Sequence, residues 1–478
     1  MTNPMHFLRF SVRVRVAAAL VGVASLAACD TDSLLTAPTP DVVLPENLTG
    51  PSALASAYAA VLGDFQVAYA GGYGTLLDYN EGLVQITGLL TDELLNAETY
   101  NTRIDIDRRA VNAINGTTLQ TFQNLQRSRA SADLVASRFR EFLPSDPRGA
   151  EVQALAGYML VLLAESYCNG VPTSKVNDDG TFTYTAGQTG TQLLTTAVAK
   201  FDSAIVVATA AGLPGRRALN LARIGKGRAL LDLNQPAAAA TAVAAVPDDY
   251  LYIVEHSENS ARQNNAIYAF NYLENRFSVP NAEGMNGIPF RTLNDPRNPL
   301  INYGLGFDES TQQFLPTKYA QRTSPTPLAI GAEARLIEAE AALRATNPAL
   351  FVQKLNEARA AAPTYPATAD ASDAPLASPA AVTLADVGAT PTAQQNFLFR
   401  ERAIALFLTN HRIGDLRRLV YQYSRSAESV FPSGEYQADN PDKSGTNYGT
   451  DVNLPIPQEE VNNPLYGGSC INRTAGIT

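Results

Sequence analysis

The stretch FRERAIALFLTNHRIGDLRRL, Phe399 to Leu419, concentrates helix-forming, apolar and charge-paired residues more densely than any other part of the chain. Phe399, Ala403, Leu406 and Phe407 recur three and four residues apart, the spacing of one buried helix face. Asn410, a residue that adopts left-handed geometry easily, predicts a stop near Thr409. A second, shorter helix is expected to follow, with Ile413, Leu416, Leu419 and Val420 on its apolar side. Glu401 and Arg402 on the first helix face Arg412, Asp415 and Arg417 on the second. A carboxylate set among so many guanidinium groups predicts paired hydrogen bonds that fix the angle between the two helices. These five residues are therefore read as a structural hub. Anion binding is the weaker reading, because nothing nearby resembles a phosphate loop.

The amino terminus has a different character. Arg9, Arg13 and Arg15 precede an apolar run from Val16 to Leu26, which closes on Leu26-Ala27-Ala28-Cys29. A basic entry, a short apolar core and a small-residue cleavage site define a secretion leader over residues 1–28. Cys29 stands where lipidation requires it, so the mature chain is expected to be lipid-anchored through that residue. Asp30 follows directly, a residue that in some bacteria favours inner-membrane retention. Residues 29–50, with Pro38, Pro40 and Pro45, read as a tether. Removing a leader with three Arg and no acid takes the net charge from −10 to −13. So acidic a body is not expected to bind nucleic acid. Beyond the leader, no segment is expected to be long and apolar enough to cross a membrane.

Residues 51–478 read as one mostly α body. Pro51 to Ala68 predicts a first amphipathic helix, and Thr91-Asp92-Glu93 reads as a helix N-cap. Helical hairpins are expected over 148–246 and 331–361: Glu151–Pro172 against Thr191–Ala211, Arg217–Leu233 against Pro236–Val246, and Gly331–Ala345 against Ala349–Ala361. Small residues such as Gly157, Ala229, Ala239 and Ala342 permit the close helix contact that stacked pairs need. A loop-rich insertion occupies 248–330, a low-complexity linker 363–390, and the hub helices and tail 391–478. In the insertion, Tyr268, Phe270 and Tyr272 alternate as a strand would.

Two stretches carry candidate ligand contacts, since loops on a rigid helical scaffold commonly hold recognition. One is the Gly- and Tyr-rich run Tyr69 to Tyr79, with Tyr69, Tyr73 and Tyr79; the other supplies Tyr268, Tyr272 and Phe277. Sealing of helix ends explains the tyrosine cluster equally well, and any single tyrosine better. The chain has no Trp, so a platform for sugar rings has to be built from Tyr or Phe. No zinc-protease motif, nucleophile elbow or phosphate loop is present, so neither catalysis nor a cofactor or metal is expected. With Cys29 lipidated, Cys168 and Cys470 form a candidate disulfide on parity and exported location.

Several motifs together resemble the SusD/RagB family. Glu401-Arg402, His411-Arg412 and Asp415-Leu416-Arg417-Arg418 are similar to its carboxy-terminal signature, although Gly414 stands where members usually carry an aromatic. The turn Cys168-Asn169-Gly170-Val171-Pro172, the pairs Asn294-Asp295-Pro296-Arg297 and Thr317-Lys318-Tyr319, and the closing Leu454-Pro455-Ile456-Pro457 with Asn463-Pro464 keep the family order. The resemblance implies a tetratricopeptide-like helical scaffold with loop-rich insertions. It also implies a surface-exposed outer-membrane lipoprotein that binds a nutrient oligomer, glycan or peptide, and passes it to a SusC-like TonB-dependent barrel as its lid. Two alternatives stay open from residue pattern alone: a helical-repeat lipoprotein that scaffolds an envelope complex, and a surface hydrolase, which would need a catalytic pair of acids.

Overall fold

The computed structural model describes residues 48–73, 79–177, 179, 181–363 and 378–467. The expected leader, Cys29, most of the tether, much of the linker and Cys470 lie outside the described residues. Helices carry the architecture: α1 (Leu54–Ala70), α2 (Leu83–Leu90), α3 (Asn101–Asp107), α4 (Gly116–Phe142), α5 (Pro147–Ser166) and α6 (Gly190–Ala210), then α7 (Arg216–Asp232), α8 (Pro236–Val243), α9 (Gly331–Arg344), α10 (Pro348–Ala361), α11 (Pro391–Ala405) and α12 (Arg412–Tyr421). Short strands are β1 (Gly72–Tyr73), β2 (Tyr79–Asn80), β3 (Leu95–Asn96), β4 (Lys175–Val176), β5 (Phe182–Thr183), β6 (Leu251–Val254), β7 (Phe277–Ser278), β8 (Leu300–Leu305), β9 (Gln312–Pro316) and β10 (Thr326–Ile330). Among the described residues they form only two-stranded antiparallel ribbons: β1 with β2, β3 with β7, β4 with β5, β6 with β10, and β8 with β9.

The helical hairpins are α5 with α6, α7 with α8, and α9 with α10. Asp146 caps α5 by accepting from the Arg148 amide at 2.9 Å, and Pro147 occupies the first turn, where its missing N–H costs nothing. The helix is buried along nearly its whole length, because α4, α6 and α7 all pack on it. Phe201 of α6 is the wedge at that crossing. An added Cβ would lie 2.8 Å from its ring at Gly157 and 2.4 Å from it at Gly225, and Tyr158 meets the same ring edge-on at 5.3 Å. Two glycines thus make the slot that one aromatic ring fills. Contrary to expectation, α6 is long and apolar enough to span a membrane. Leu193, Leu194, Ala197, Phe201, Ala204 and Ala208 are instead buried in this hairpin, and polar Thr195, Thr196 and Asp202 lie outward.

The hub joins this scaffold to everything else. The first hub helix ends at Ala405, four residues before the expected stop, because the chain turns through a corner, Leu406–Asn410, in which Leu408 and Asn410 take φ of 51° and 60°. Asp415 accepts from Arg402 Nε at 2.8 Å and from Arg418 at 2.7 Å, so this carboxylate does clamp α11 to α12. Burial alone would raise the Asp415 carboxyl, but the two guanidinium groups outweigh it and hold it below the usual carboxylate range.

The other hub residues reach farther than expected. Arg412 makes a bidentate pair with Asp92 at 2.6 and 2.8 Å. Asp92 is accordingly no N-cap; it follows the carboxy-terminal end of α2 and ties that helix to α12. Arg417 donates to the carbonyls of Ala164, Glu165 and Tyr167, closing the end of α5. Glu401 receives Arg297 at 2.9 Å, and Arg359 as well. Gly414 has its own reason: a Cβ there would sit 2.9 Å from the Glu165 carboxyl, which pairs with Arg228 at 2.7 Å. His411 is buried between Arg228 and Glu333, each 3.0 Å from its Nε2.

The tail returns across the scaffold. Leu454 donates to the Ser166 carbonyl at 2.7 Å and accepts from the Cys168 amide at 3.0 Å, which fixes the Leu-Pro-Ile-Pro segment beside the end of α5. Cys168 is disulfide-bonded, and the described residues contain no second cysteine.

Asp415→Asn leaves Arg402 and Arg418 buried without their shared charge. It is expected to destabilise the fold by about 3–5 kcal/mol, read as a lower urea midpoint at unchanged slope. His256 gives a pH signature. Burial pushes its imidazole down to about 4 beside the Thr326 hydroxyl at 3.0 Å. The unfolded chain therefore binds a proton between about pH 6.5 and 4 that the folded chain refuses, and stability falls as pH drops through that window, by up to about 3 kcal/mol. His256→Asn should flatten this limb in urea titrations at pH 4.5 and 7; an unchanged limb would show that His256 does not cause it.

Candidate functional site

Tyrosines and phenylalanines from four separate segments converge on one face. The segment expected as a strand is helical: Asn265 caps a short turn, Ala266–Tyr268, by accepting from the Tyr268 amide at 3.0 Å, and a wide turn continues through Ala269–Leu273. Positions four apart on a helix share a face, whereas on a strand they would be two steps along it. Tyr268 and Tyr272 consequently stack, centroids 5.4 Å apart and planes within 18°. Tyr303 from β8 meets Tyr272 edge-on at 5.4 Å and is 45% exposed. The Tyr73 hydroxyl donates to Glu274 at 2.7 Å, drawing the β1–β2 ribbon to the same turn.

Beside this group, arginines stand between rings. Arg276 lies 3.7 Å from the Phe307 ring and 5.4 Å from that of Tyr100, while Arg103 lies 5.3 Å from Tyr100 and 4.8 Å from Phe270. Guanidinium stacking holds Tyr100 and Phe307 in place although they are 56% and 48% exposed. Carboxylates hold the arginines in turn. Glu98 receives Arg103 at 2.8 Å and Arg276 at 3.2 Å, Glu81 receives Arg103, and Glu274 receives Arg276 at 3.2 Å. Burial lifts the Glu98 carboxyl above its ordinary range despite both cations. For Arg103 burial acts in the opposite direction, but Glu81 and Glu98 prevail and raise it. Between these groups opens a cleft of about 260 Å³ lined by Glu81, Tyr100, Arg103, Thr117, Gln120 and Arg276, among others.

Of the expected contacts, Tyr73 and Tyr268 belong to this face, and Tyr272 lies beneath it, buried, with its hydroxyl donated to the Pro316 carbonyl. Tyr69 does not: it lies inside α1, fully buried, and its hydroxyl donates to the carbonyls of Pro327 and Thr409. Phe277 is likewise fully buried, packed on Phe270 at 5.6 Å. Neither presents a ring face to a ligand. The Tyr79 backbone pairs with Tyr73 in the β1–β2 ribbon, and its side chain lies outside the described residues. Sequence reasoning missed Tyr100, Tyr303 and Phe307. Tyr100 stands alone among polar residues, and Tyr303 and Phe307 are spaced by glycines in the stretch Leu300–Phe307, so no periodic pattern marked any of the three.

A larger cleft, about 450 Å³, lies between the Pro280–Met285 loop and the segment from Ser433 to Asn440. Its one aromatic, Tyr448, is buried with its hydroxyl donated to Glu283 at 3.0 Å. It offers no ring face, and the smaller aromatic cleft is the better candidate.

Comparison with known proteins agrees with this architecture. Residues 304–464 match the model of the SusD family. Solved structures share the fold across most of both chains. A SusD superfamily protein from Bacteroides fragilis aligns over 88% of this chain and 99% of its own at 13% identity, with a TM-score of 0.59. The surface glycan-binding protein A from Bacteroides uniformis aligns over 87% and 99% at 15% identity, TM-score 0.57. A SusD-like carbohydrate-binding protein from Bacteroides fragilis aligns over 88% and 99% at 16% identity, TM-score 0.55. No curated protein matches the sequence. The fold is a mostly α, tetratricopeptide-like scaffold with loop-rich insertions, and over residues 304–464 the chain is similar to the SusD family.

Proposed function

We propose that the protein captures an oligosaccharide on the aromatic face and delivers it to a SusC-like TonB-dependent barrel, over which it sits as a lid. The observation that carries the binding step is the set of exposed rings, Tyr100 and Phe307 stacked on Arg276 and Tyr303 held edge-on against Tyr272. Aromatic faces bind the C–H faces of sugar rings through dispersion and exclusion of water, at little conformational cost when the rings are already fixed. The names of two structural relatives, a surface glycan-binding protein and a SusD-like carbohydrate-binding protein, favour a glycan over a peptide ligand. Ligand capture and hand-over ask for no bond-breaking chemistry, in keeping with a site built from rings and paired charges.

Delivery follows from the anchor. An acylated Cys29 on a proline-rich tether would hold the body at the outer face of the outer membrane, and the family resemblance supplies the barrel. We assign the bond at Cys168 to Cys470, since Asn463 donates to the Thr185 carbonyl at 3.1 Å and so brings the tail to the β4–β5 neighbourhood that follows Cys168. The scaffold reading draws on one observation: Val206 and Leu213, at and beyond the end of α6, are 69% and 78% exposed and could seat another envelope protein.

Tyr100→Ala with Tyr303→Ala should weaken glycan binding at least tenfold in affinity electrophoresis while leaving thermal stability within about 1 kcal/mol, because both rings are largely exposed. Retained binding in the double variant would remove this face from the uptake reading. Mild-detergent capture of the tagged, lipidated protein from isolated membranes should recover a stoichiometric TonB-dependent barrel, and unreduced digestion of the same sample a peptide pair joining Cys168 to Cys470. Recovery with periplasmic assembly factors in the inner-membrane fraction would favour the scaffold reading instead, and give Asp30 a sorting role.

A further inference from the structure

The electrostatics of the aromatic cleft restrict what it can hold. Resting on the glycan reading above, we infer that the site is built for uncharged oligosaccharides and discriminates against uronic acid or sulfated glycans. Arginines near a ligand site ordinarily suggest anion recognition, because the guanidinium fork matches a carboxylate or sulfate. Here each guanidinium already engages two carboxylates. Arg103 directs Nε to Glu81 and one terminal nitrogen to both oxygens of Glu98. Arg276 directs its two terminal nitrogens to Glu98 and Glu274. Three carboxylates therefore face two guanidinium groups.

The pairing is protected from exchange. The Glu98 side chain is fully buried, that of Glu81 nearly so, and each guanidinium plane is covered by an aromatic ring, Phe270 over Arg103 and Phe307 over Arg276. An incoming glycan carboxylate would have to displace a buried carboxylate from its partner, leaving a charge unpaired in a water-poor setting. It would also meet the surplus negative charge of the three acids and of a chain whose net charge is −10. The remaining polar lining, Thr102, Thr117 and Gln120, is neutral and can both donate to and accept from sugar hydroxyls. The arginines thus serve to hold the rings, and recognition is left to ring faces and neutral groups.

The test is titration calorimetry of the mature protein against neutral glycans, namely laminarin, malto-oligosaccharides and mannan, and against polygalacturonate and alginate, at low and physiological salt. Binding of a neutral glycan, with both polyuronates at least tenfold weaker, is expected. A polyuronate bound as tightly as any neutral glycan would overturn the charge inference and leave the glycan reading standing. Binding of none of the five would overturn the glycan reading and the inference with it. Glu274→Gln, at the partly exposed edge of the network, removes one of the two negative charges paired with Arg276. It should raise polygalacturonate affinity at least threefold at low salt, an increase that added salt removes. A Glu274→Gln protein with wild-type circular dichroism and no such gain would show that carboxylate pairing is not what excludes acidic glycans.

Discussion

The corner Leu406–Asn410 poses the demand that the rest of the fold answers. Leu406 keeps local partners, its amide on the Arg402 carbonyl, but beyond it the backbone leaves the helical path and the buried carbonyls of Phe407 to Asn410 need partners from elsewhere. An unpaired buried carbonyl or amide costs about 1–3 kcal/mol, so four in a row could not persist without help. Help arrives from distant parts of the chain: Lys318 donates to the Phe407 carbonyl, Tyr319 to that of Leu408, Tyr69 to that of Thr409, Arg228 to that of Asn410, and Glu93 accepts from the Leu408 amide. Those donors belong to α1, α7 and the insertion, so satisfying one corner obliges the helical scaffold and the loop-rich region to dock together. Burial pushes Lys318 down to about 7 and Glu93 up to about 8, a measure of how dry the junction is.

Rigidity at the junction is what allows a loop-borne site to be ordered. Thr317-Lys318-Tyr319 ends the β8–β9 hairpin, and the same hairpin carries Tyr303 and, in its connection, Phe307. The Tyr268–Tyr272 turn is joined to that hairpin through Gln313, which donates to the Asn271 and Phe277 carbonyls, and through the Phe307 amide on the Asn275 carbonyl. Tyr268, Tyr272, Tyr303 and Phe307 are therefore only a few bonds from the hub. Preorganised rings lose little freedom on binding, which matters more than area for a shallow site.

The sequence disclosed the scaffold better than the site, for a physical reason. Helical hairpins repeat a period over many residues, and Gly157 or Ala239 is visible as a small residue on an apolar face. The charge pattern of the hub was equally legible in Asp415 with Arg402 and Arg418. Partners were not: Arg412 reaches Asp92 across 320 positions, a distance at which no local pattern carries information. Tyr268 and Tyr272 show how a short alternation misleads. Tyr-x-Phe-x-Tyr fits a strand over five residues, but Asn265 capping one end and the packing of Phe270 on Phe277 settle it as helical. Tyr69 fails differently: the Gly-rich run after it suggested a loop, whereas α1 continues to Ala70 and takes the ring into the core.

Arginine is used in two contrasting ways in this molecule, and the contrast separates structure from recognition. In the hub, guanidinium groups are wholly buried and spend their donors on carboxylates and backbone carbonyls that already exist for other reasons. At the aromatic face they are only partly buried, and their flat surfaces matter as much as their donors, because Tyr100 and Phe307 lean on them. A lysine could replace the charge in the second setting but not the plane. With no tryptophan in the chain, smaller rings must present a steady surface, and a stacked guanidinium supplies the backing that a larger ring would provide through its own packing. The carboxylates behind them complete the device by cancelling the charge that such backing would otherwise offer to an acidic ligand.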